Sequence, residues 1–166
     1  MKKTAVYTFF ILATTFSVAQ NSLELLLQAS NNESIPYISS EKLRSLQLEE
    51  PVVILDTRER KEFETSHIAS AKHIGYDFFS LEKMAPYLNA KNTPIVVYCS
   101  LGIRSEDIGE KLKKEGFTNI RNLYGGIFEW KNNNLPVVDL EGKATENVHV
   151  YNKFWGNWLT KGKKVY

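Results

Sequence analysis

Ile95-Val96-Val97-Tyr98-Cys99-Ser100-Leu101-Gly102-Ile103-Arg104-Ser105 decides how this chain is read. An apolar, β-favouring run ends at a cysteine, turns through a loop containing a glycine, and enters a helical pattern. A run without alternation fits a strand covered on both faces. The carboxyl end of such a strand is where open α/β sheets place their ligands. Cys99 is the single cysteine of the 166 residues. The residues after it supply backbone N–H groups and the guanidinium of Arg104, and both favour an anion. A thiolate in that setting has a lowered pKa and is nucleophilic. Cysteines are commonly plain core residues, but core cysteines seldom sit between a strand end and a Gly-Arg loop. Cys99 is therefore read as a reactive nucleophile.

Working outward, strands and helices alternate. Pro36-Tyr37-Ile38 has the look of a short strand, and Ser39 or Ser40 can cap a helix over Glu41 to Gln47. Val52 to Asp56 is a second apolar run of strand length. Glu59 to Thr65 fits a helical turn with Phe63 inward. His67-Ile68-Ala69 leads into a short strand around Lys72-His73-Ile74. A helix is expected from about Phe79 to Leu88, carrying Leu81, Met84 and Leu88 to the core. Beyond Cys99, Ile108 and Leu112 lie one turn apart on a helix that Gly116 stops. Asn119 to Leu123 is another strand, and Gly125-Gly126 turns into a short helix through Trp130 that ends near Asn133. The alternation predicts an α/β fold with a parallel sheet covered on both sides.

The flanks differ from this centre. Lys2 and Lys3, the apolar stretch Ala5 to Ala13 and Ser17-Val18-Ala19 have the pattern of a secretory leader, too short to span a bilayer comfortably. Residues 1–20 are expected to be removed, with export to a bacterial periplasm or beyond and no membrane attachment afterwards. Residues 21–35 form a leader segment, 36–138 the domain, and 139–166 an extension rich in aromatics that packs on it. Lys161, Lys163 and Lys164 are expected to be a solvated tail. A formal charge of +2, with 24% charged and 43% hydrophobic residues, is ordinary for one globular domain and gives no argument for nucleic acid. One cysteine excludes an internal disulfide framework. No Cys and His residues have metal-site spacing, and no cofactor is called for.

The ordered motifs resemble the rhodanese-like domain, a sulfurtransferase family. They are Asp56-Thr57-Arg58, Glu62-Phe63 with His67-Ile68, the loop Cys99 to Arg104, and Leu123-Tyr124-Gly125-Gly126-Ile127-Phe128-Glu129-Trp130. The resemblance covers roughly Ile38 to Val138 and implies a five-stranded parallel sheet flanked by helices on both faces. It also implies transfer of sulfane sulfur through a persulfide on Cys99, from a thiosulfate- or persulfide-type donor to a thiol or cyanide. The chain departs from the family at Ser66 and Ala69-Ser70, where the family has turn glycines and a Pro-Gly step. It departs again at Ser100, which is often basic in the family.

The loop suits that chemistry on physical grounds as well. A persulfide anion needs converging donors, and the amides of Ser100, Leu101, Gly102, Ile103, Arg104 and Ser105 can form such a cradle. Gly102 permits a tight curl. Arg104 can hold the loop or attract an oxyanion donor, and Ser105 can add a hydroxyl or cap the helix. Asp56, Arg58 and His67 are read as structural support, the first two as an ion pair or turn hydrogen bond and the third as a turn-fixing group. His73 and His149 are read as incidental. With no second cysteine, resolution of the persulfide requires an external acceptor, and a thiol reductant protein is an expected partner. A binding or sensing module without catalysis is the alternative. A cysteine phosphatase is a further one, disfavoured because such enzymes use Cys-x5-Arg and this chain has Cys-x4-Arg.

Overall fold

The computed structural model describes residues 22–88 and 90–166. The expected secretory leader falls on residues 1–20 and lies outside them. Five parallel strands form the central sheet: β1 (Tyr37–Ile38), β2 (Val53–Asp56), β4 (Lys72–His73), β5 (Ile95–Tyr98) and β6 (Ile120–Leu123). Their order is β1-β6-β5-β2-β4, with every pairing parallel. The helices are α1 (residues 22–30), α2 (Ser40–Glu49), α3 (Arg60–Thr65), α4 (Ile103–Lys114) and α5 (Gly126–Asn132).

Side-chain alternation along β5 sorts the core into two halves. Val96 and Tyr98 point to one face, with Leu23 and Leu27 of α1, Leu43 of α2, and Ile127, Phe128 and Trp130 of α5. Ile95 and Val97 point to the other, with Ile108 and Leu112 of α4. All four strand residues are buried, which is why the run is apolar without a break. The neighbouring strands β2 and β5 send their helices to opposite faces: Phe63 of α3 packs with the first cluster and α4 with the second. This divergence opens a crevice beyond the carboxyl ends of the two strands, the usual ligand position in such sheets.

Local structure departs from expectation in three places. Phe79 to Leu88 is not an α-helix but two 3₁₀ turns, Leu81–Lys83 and Ala85–Tyr87. Pro86 explains this, because it lacks the N–H that an α-helix would donate to residue 82 and its ring clashes with that carbonyl. Met84 is nevertheless buried, with Leu81 and Leu88 against the same cluster. His67–Ile68 is itself a strand, β3, which joins β7 (Val137–Val138) and β8 (Ala144–Thr145) in an antiparallel sheet. The C-terminal lysines are not a loose tail. Lys163–Val165 forms β10, parallel to β9 (Asn147–His149), although the three lysine side chains are exposed. Val148, Val150 and Leu159 are buried in the main cluster, with Trp155 and Trp158 half-buried against it. Among the described residues no helix is long and apolar enough to cross a membrane.

At the end of β2, Asp56 and Arg58 are buried without exposure. Arg58 Nη2 lies 2.6 Å from Asp56 Oδ2, and Nε donates to Oδ1 at 3.0 Å. Arg58 Nη2 also donates to the Ser66 carbonyl at 2.7 Å, tying the far end of α3 to the sheet. His67 meets the Phe63 carbonyl through Nδ1 at 3.1 Å and stacks on the Phe63 ring. Removing one partner of a buried pair leaves the other charge uncompensated. Arg58→Ala is expected to lower unfolding stability by roughly 3–5 kcal/mol, with the double variant Asp56→Asn/Arg58→Met recovering most of the loss in urea unfolding.

Candidate active site

Cys99 is the first residue past β5, and its loop runs straight into α4. Gly102 is the residue before the helix, with φ of 111°. That left-handed backbone is open to glycine and strained for other residues. The side chain of Cys99 is 2% exposed. Its sulfur nonetheless faces a cavity of about 490 Å³ lined also by Ser100, Leu101, Ile103 and Arg104. The thiol is thus recessed but reachable.

The loop's polarity is set from outside. The carbonyl of Cys99 accepts the Ile127 N–H at 3.0 Å, and that of Ser100 accepts the Phe128 N–H at 3.2 Å. Two buried amides, Asn31 Nδ2 at 3.0 Å and Asn122 Nδ2 at 2.8 Å, donate to the Gly102 carbonyl. In a trans peptide the N–H points opposite to the carbonyl. Drawing the Cys99, Ser100 and Gly102 carbonyls outward turns the N–H groups of Ser100, Leu101 and Ile103 the other way, and that of Leu101 is one of the donors to the sulfur. The Gly102 N–H donates to Cys99 Sγ at 3.1 Å. Burial pushes the thiol pKa up, but the charge of Arg104 and the N–H groups of Ser105, Gly102 and Leu101 outweigh it, and the net shift is down. α5 must come very close to make its two bonds. A Cβ on Gly126 would overlap the Cys99 carbonyl oxygen, so this position tolerates no side chain.

Arg104 holds the loop. Its Nη1 and Nη2 each donate to Glu62 at 2.8 Å, a two-pronged pair, and Nη2 also reaches Ser100 Oγ at 3.1 Å. Ser100 Oγ in turn donates to Glu62 Oε1 at 3.0 Å. Burial would raise the Glu62 pKa, yet the hydrogen bond and charge of Arg104 hold it below the usual range. Ser105 does not cap α4. Its hydroxyl donates to Asn122 Oδ1 at 2.8 Å, and Gly102 occupies the capping position without a side chain. Asp56, Arg58 and His67 stand behind the loop, outside the cavity lining.

Three contributors were given no role from sequence. Glu62 was visible as half of a Glu-Phe motif, but its partner lies 42 residues away. Asn31 and Asn122 carried no signal, since a buried amide in a strand or a polar linker looks like any other asparagine. The cavity itself is completed by Ser30 from α1 and by Tyr151 and Trp155 from the C-terminal segment.

The fold is an α/β domain with a recessed thiol at the carboxyl edge of its sheet, where N–H groups of Leu101, Gly102 and Ser105 meet the sulfur. The chain belongs to the Rhodanese-like domain family, whose model matches residues 39–133. It is 35% identical over 82 residues to the thiosulfate sulfurtransferase GlpE of Coxiella burnetii, covering 48% of this chain and 72% of that protein. It is 34% identical over 113 residues to the tRNA uridine(34) hydroxylase of Aster yellows witches'-broom phytoplasma, covering 66% of this chain and 36% of that one. The crystal structure of a rhodanese-related protein from Thermoplasma volcanium superposes with a TM-score of 0.53 at 28% identity, over 62% of this chain and 97% of that chain.

Cys99 alkylation by iodoacetamide is expected to show its pH midpoint below that of an ordinary thiol, near 8.5. The double variant Arg104→Met/Glu62→Gln removes the cation without stranding a carboxylate. It should move the midpoint upward, because burial then acts against fewer stabilising groups.

Proposed function

We propose that the protein is a sulfurtransferase that carries sulfane sulfur as a Cys99 persulfide. One observation bears most of the weight: backbone N–H groups of Leu101, Gly102 and Ser105 converge on the sulfur of a thiol whose pKa is lowered. With thiosulfate, the Cys99 thiolate attacks the outer sulfur, a Cys99 S–S bond forms, and the S–S bond of the donor breaks. Sulfite leaves with the bonding pair, and total charge is unchanged. An acceptor thiolate or cyanide then attacks the terminal sulfur and releases the Cys99 thiolate. The same amides that hold the persulfide anion stabilise this departing thiolate, and a thiol of low pKa leaves faster.

The position of Arg104 supports sulfur over phosphate. A phosphatase needs its arginine to clamp two phosphoryl oxygens, whereas both prongs of Arg104 are taken by Glu62. Resolution of the persulfide falls to an external acceptor, since Cys99 is the single cysteine. A thiol compound or thiol protein in the compartment is the proposed partner. The leader pattern in residues 1–20 makes that compartment an exported one in this reading.

Incubation with thiosulfate and, separately, with an organic persulfide should add the mass of one sulfur atom to the intact protein. Cyanide should remove it with release of thiocyanate, and Cys99→Ser should abolish the gain. No gain with any sulfane donor would leave the binding-module reading in its place.

A further inference from the structure

The cavity over Cys99 is larger and differently lined than transfer from a small dianion requires. At about 490 Å³ it falls in the range that encloses an organic molecule of drug size. Its walls carry three aromatic rings, Tyr76, Tyr151 and Trp155, and the apolar side chains of Leu101 and Ile103. Its charges are the carboxylates of Glu59 and Asp77 and the guanidinium of Arg104, which is already paired with buried Glu62. Among the described lining residues no cation remains uncommitted, and Asp77 is exposed at the wall. A doubly negative donor finds no free cation to pair with at these walls and meets two carboxylates there.

Two of the rings come from beyond residues 39–133, the span of the family model. Tyr151 is held in an unusual way. It has φ of 62°, a conformation rare for a bulky side chain. The Asn152 N–H bonds the Val150 carbonyl across it at 2.6 Å, making a γ-turn of the strained, positive-φ kind. Its own N–H donates to His149 Nδ1 at 3.0 Å. Strain of this sort persists where surrounding structure enforces it, and it concentrates at ligand sites. The enforcement is visible. Val148 and Val150 are buried on either side of His149, β9 pairs with β10, and Lys131 of α5 reaches Glu146 at 2.7 Å. Asn132 binds the Trp158 carbonyl and the N–H groups of Thr160 and Lys161. The segment is therefore a fixed wall of the cavity.

We propose that Tyr151 and Trp155 are specificity-determining residues, and that the sulfur donor is an organic persulfide with an uncharged, apolar or aromatic body. This rests on the sulfur-transfer reading of Cys99. The step balances without an oxidant: the Cys99 thiolate attacks the terminal sulfur of R–S–SH, a Cys99–S–SH bond forms, the donor S–S bond breaks, and R–S⁻ leaves with the electron pair. The body R lies between the rings while the terminal sulfur enters the amide ring.

The test measures second-order loading of Cys99 by intact mass with benzyl persulfide, 4-carboxybenzyl persulfide and thiosulfate. The expected order places benzyl persulfide ahead of its carboxylated analogue by about tenfold or more. Asp77→Asn should narrow that gap. Tyr151→Asn removes the ring while keeping a residue that tolerates the same backbone. It should slow benzyl persulfide by about fivefold or more, well beyond any change for thiosulfate. Equal rates for the two benzyl donors, or an equal effect of Tyr151→Asn on all three donors, would overturn the specificity proposal while leaving sulfur transfer intact. Loading by none of the three overturns sulfur transfer itself, and the specificity proposal with it.

Discussion

The site depends on one demand made of the backbone: the carbonyls of Cys99, Ser100 and Gly102 bind partners outside the loop while the N–H groups of Leu101, Gly102 and Ser105 turn to the Cys99 sulfur. A loop left to itself has no reason to sort its dipoles this way, because like-oriented peptide groups repel and each carbonyl needs a donor. Here the donors come from the rest of the fold. The start of α5 binds the Cys99 and Ser100 carbonyls, and Asn31 and Asn122 bind that of Gly102. The donors at the start of α5 are N–H groups that a helix leaves unsatisfied in its first turn. A helix end and a loop thus complete each other, and two otherwise costly sets of polar groups are settled together. Gly126 is the steric condition for the contact, which brings backbone against backbone.

Charge is handled by the same principle of local completion. Asp56 with Arg58 and Glu62 with Arg104 are both pairs at the carboxyl edge of the sheet, one sealed and one at the cavity wall. α3 links them, since Arg58 grips the Ser66 carbonyl at its end while Glu62 sits in its first turn. Glu62 also accepts the Glu59 N–H at 3.0 Å, so the helix start fixes the carboxylate that fixes the arginine. The field Arg104 exerts on Cys99 therefore comes from a guanidinium whose position is set by elements on the other side of the crevice.

How much of this could be read from the chain follows from the range of the signals. Buried strands announce themselves by composition, so β2, β5 and β6 were evident, as were Gly116 at a helix end and Ser39 at a helix start. The 3₁₀ turns around Met84 share the apolar spacing of an α-helix, and Pro86 is what forbids that helix. β3, β7 and β8 are two residues each, too short for any period to register. In the loop, Cys99, Gly102 and Arg104 stood out through residue type and spacing. The groups that orient them did not, because Asn31, Glu62 and Asn122 act across the fold and only the topology brings them to the loop. Ser105 illustrates the same limit: a serine near a helix start suggested a cap, and tertiary contact drew its hydroxyl to Asn122 instead.

The aromatic C-terminal segment changes what the site can be asked to do. A domain that ended at α5 would leave the mouth over Cys99 bordered by its own loops and open on the side of α3. With β9 laid against α3 and Trp155 half-buried beside it, that side becomes an apolar wall. Apolar surface beside the sulfur strengthens the electrostatic effects of the amides and of Arg104. Stabilising one bound anion and rejecting free anions are then not in conflict. The first is done by hydrogen bonds of short range and fixed direction at the floor of the cavity. In the proposed specificity the second falls to the carboxylates of Glu59 and Asp77 at the cavity wall, and a sulfur delivered on an uncharged carrier meets only the first.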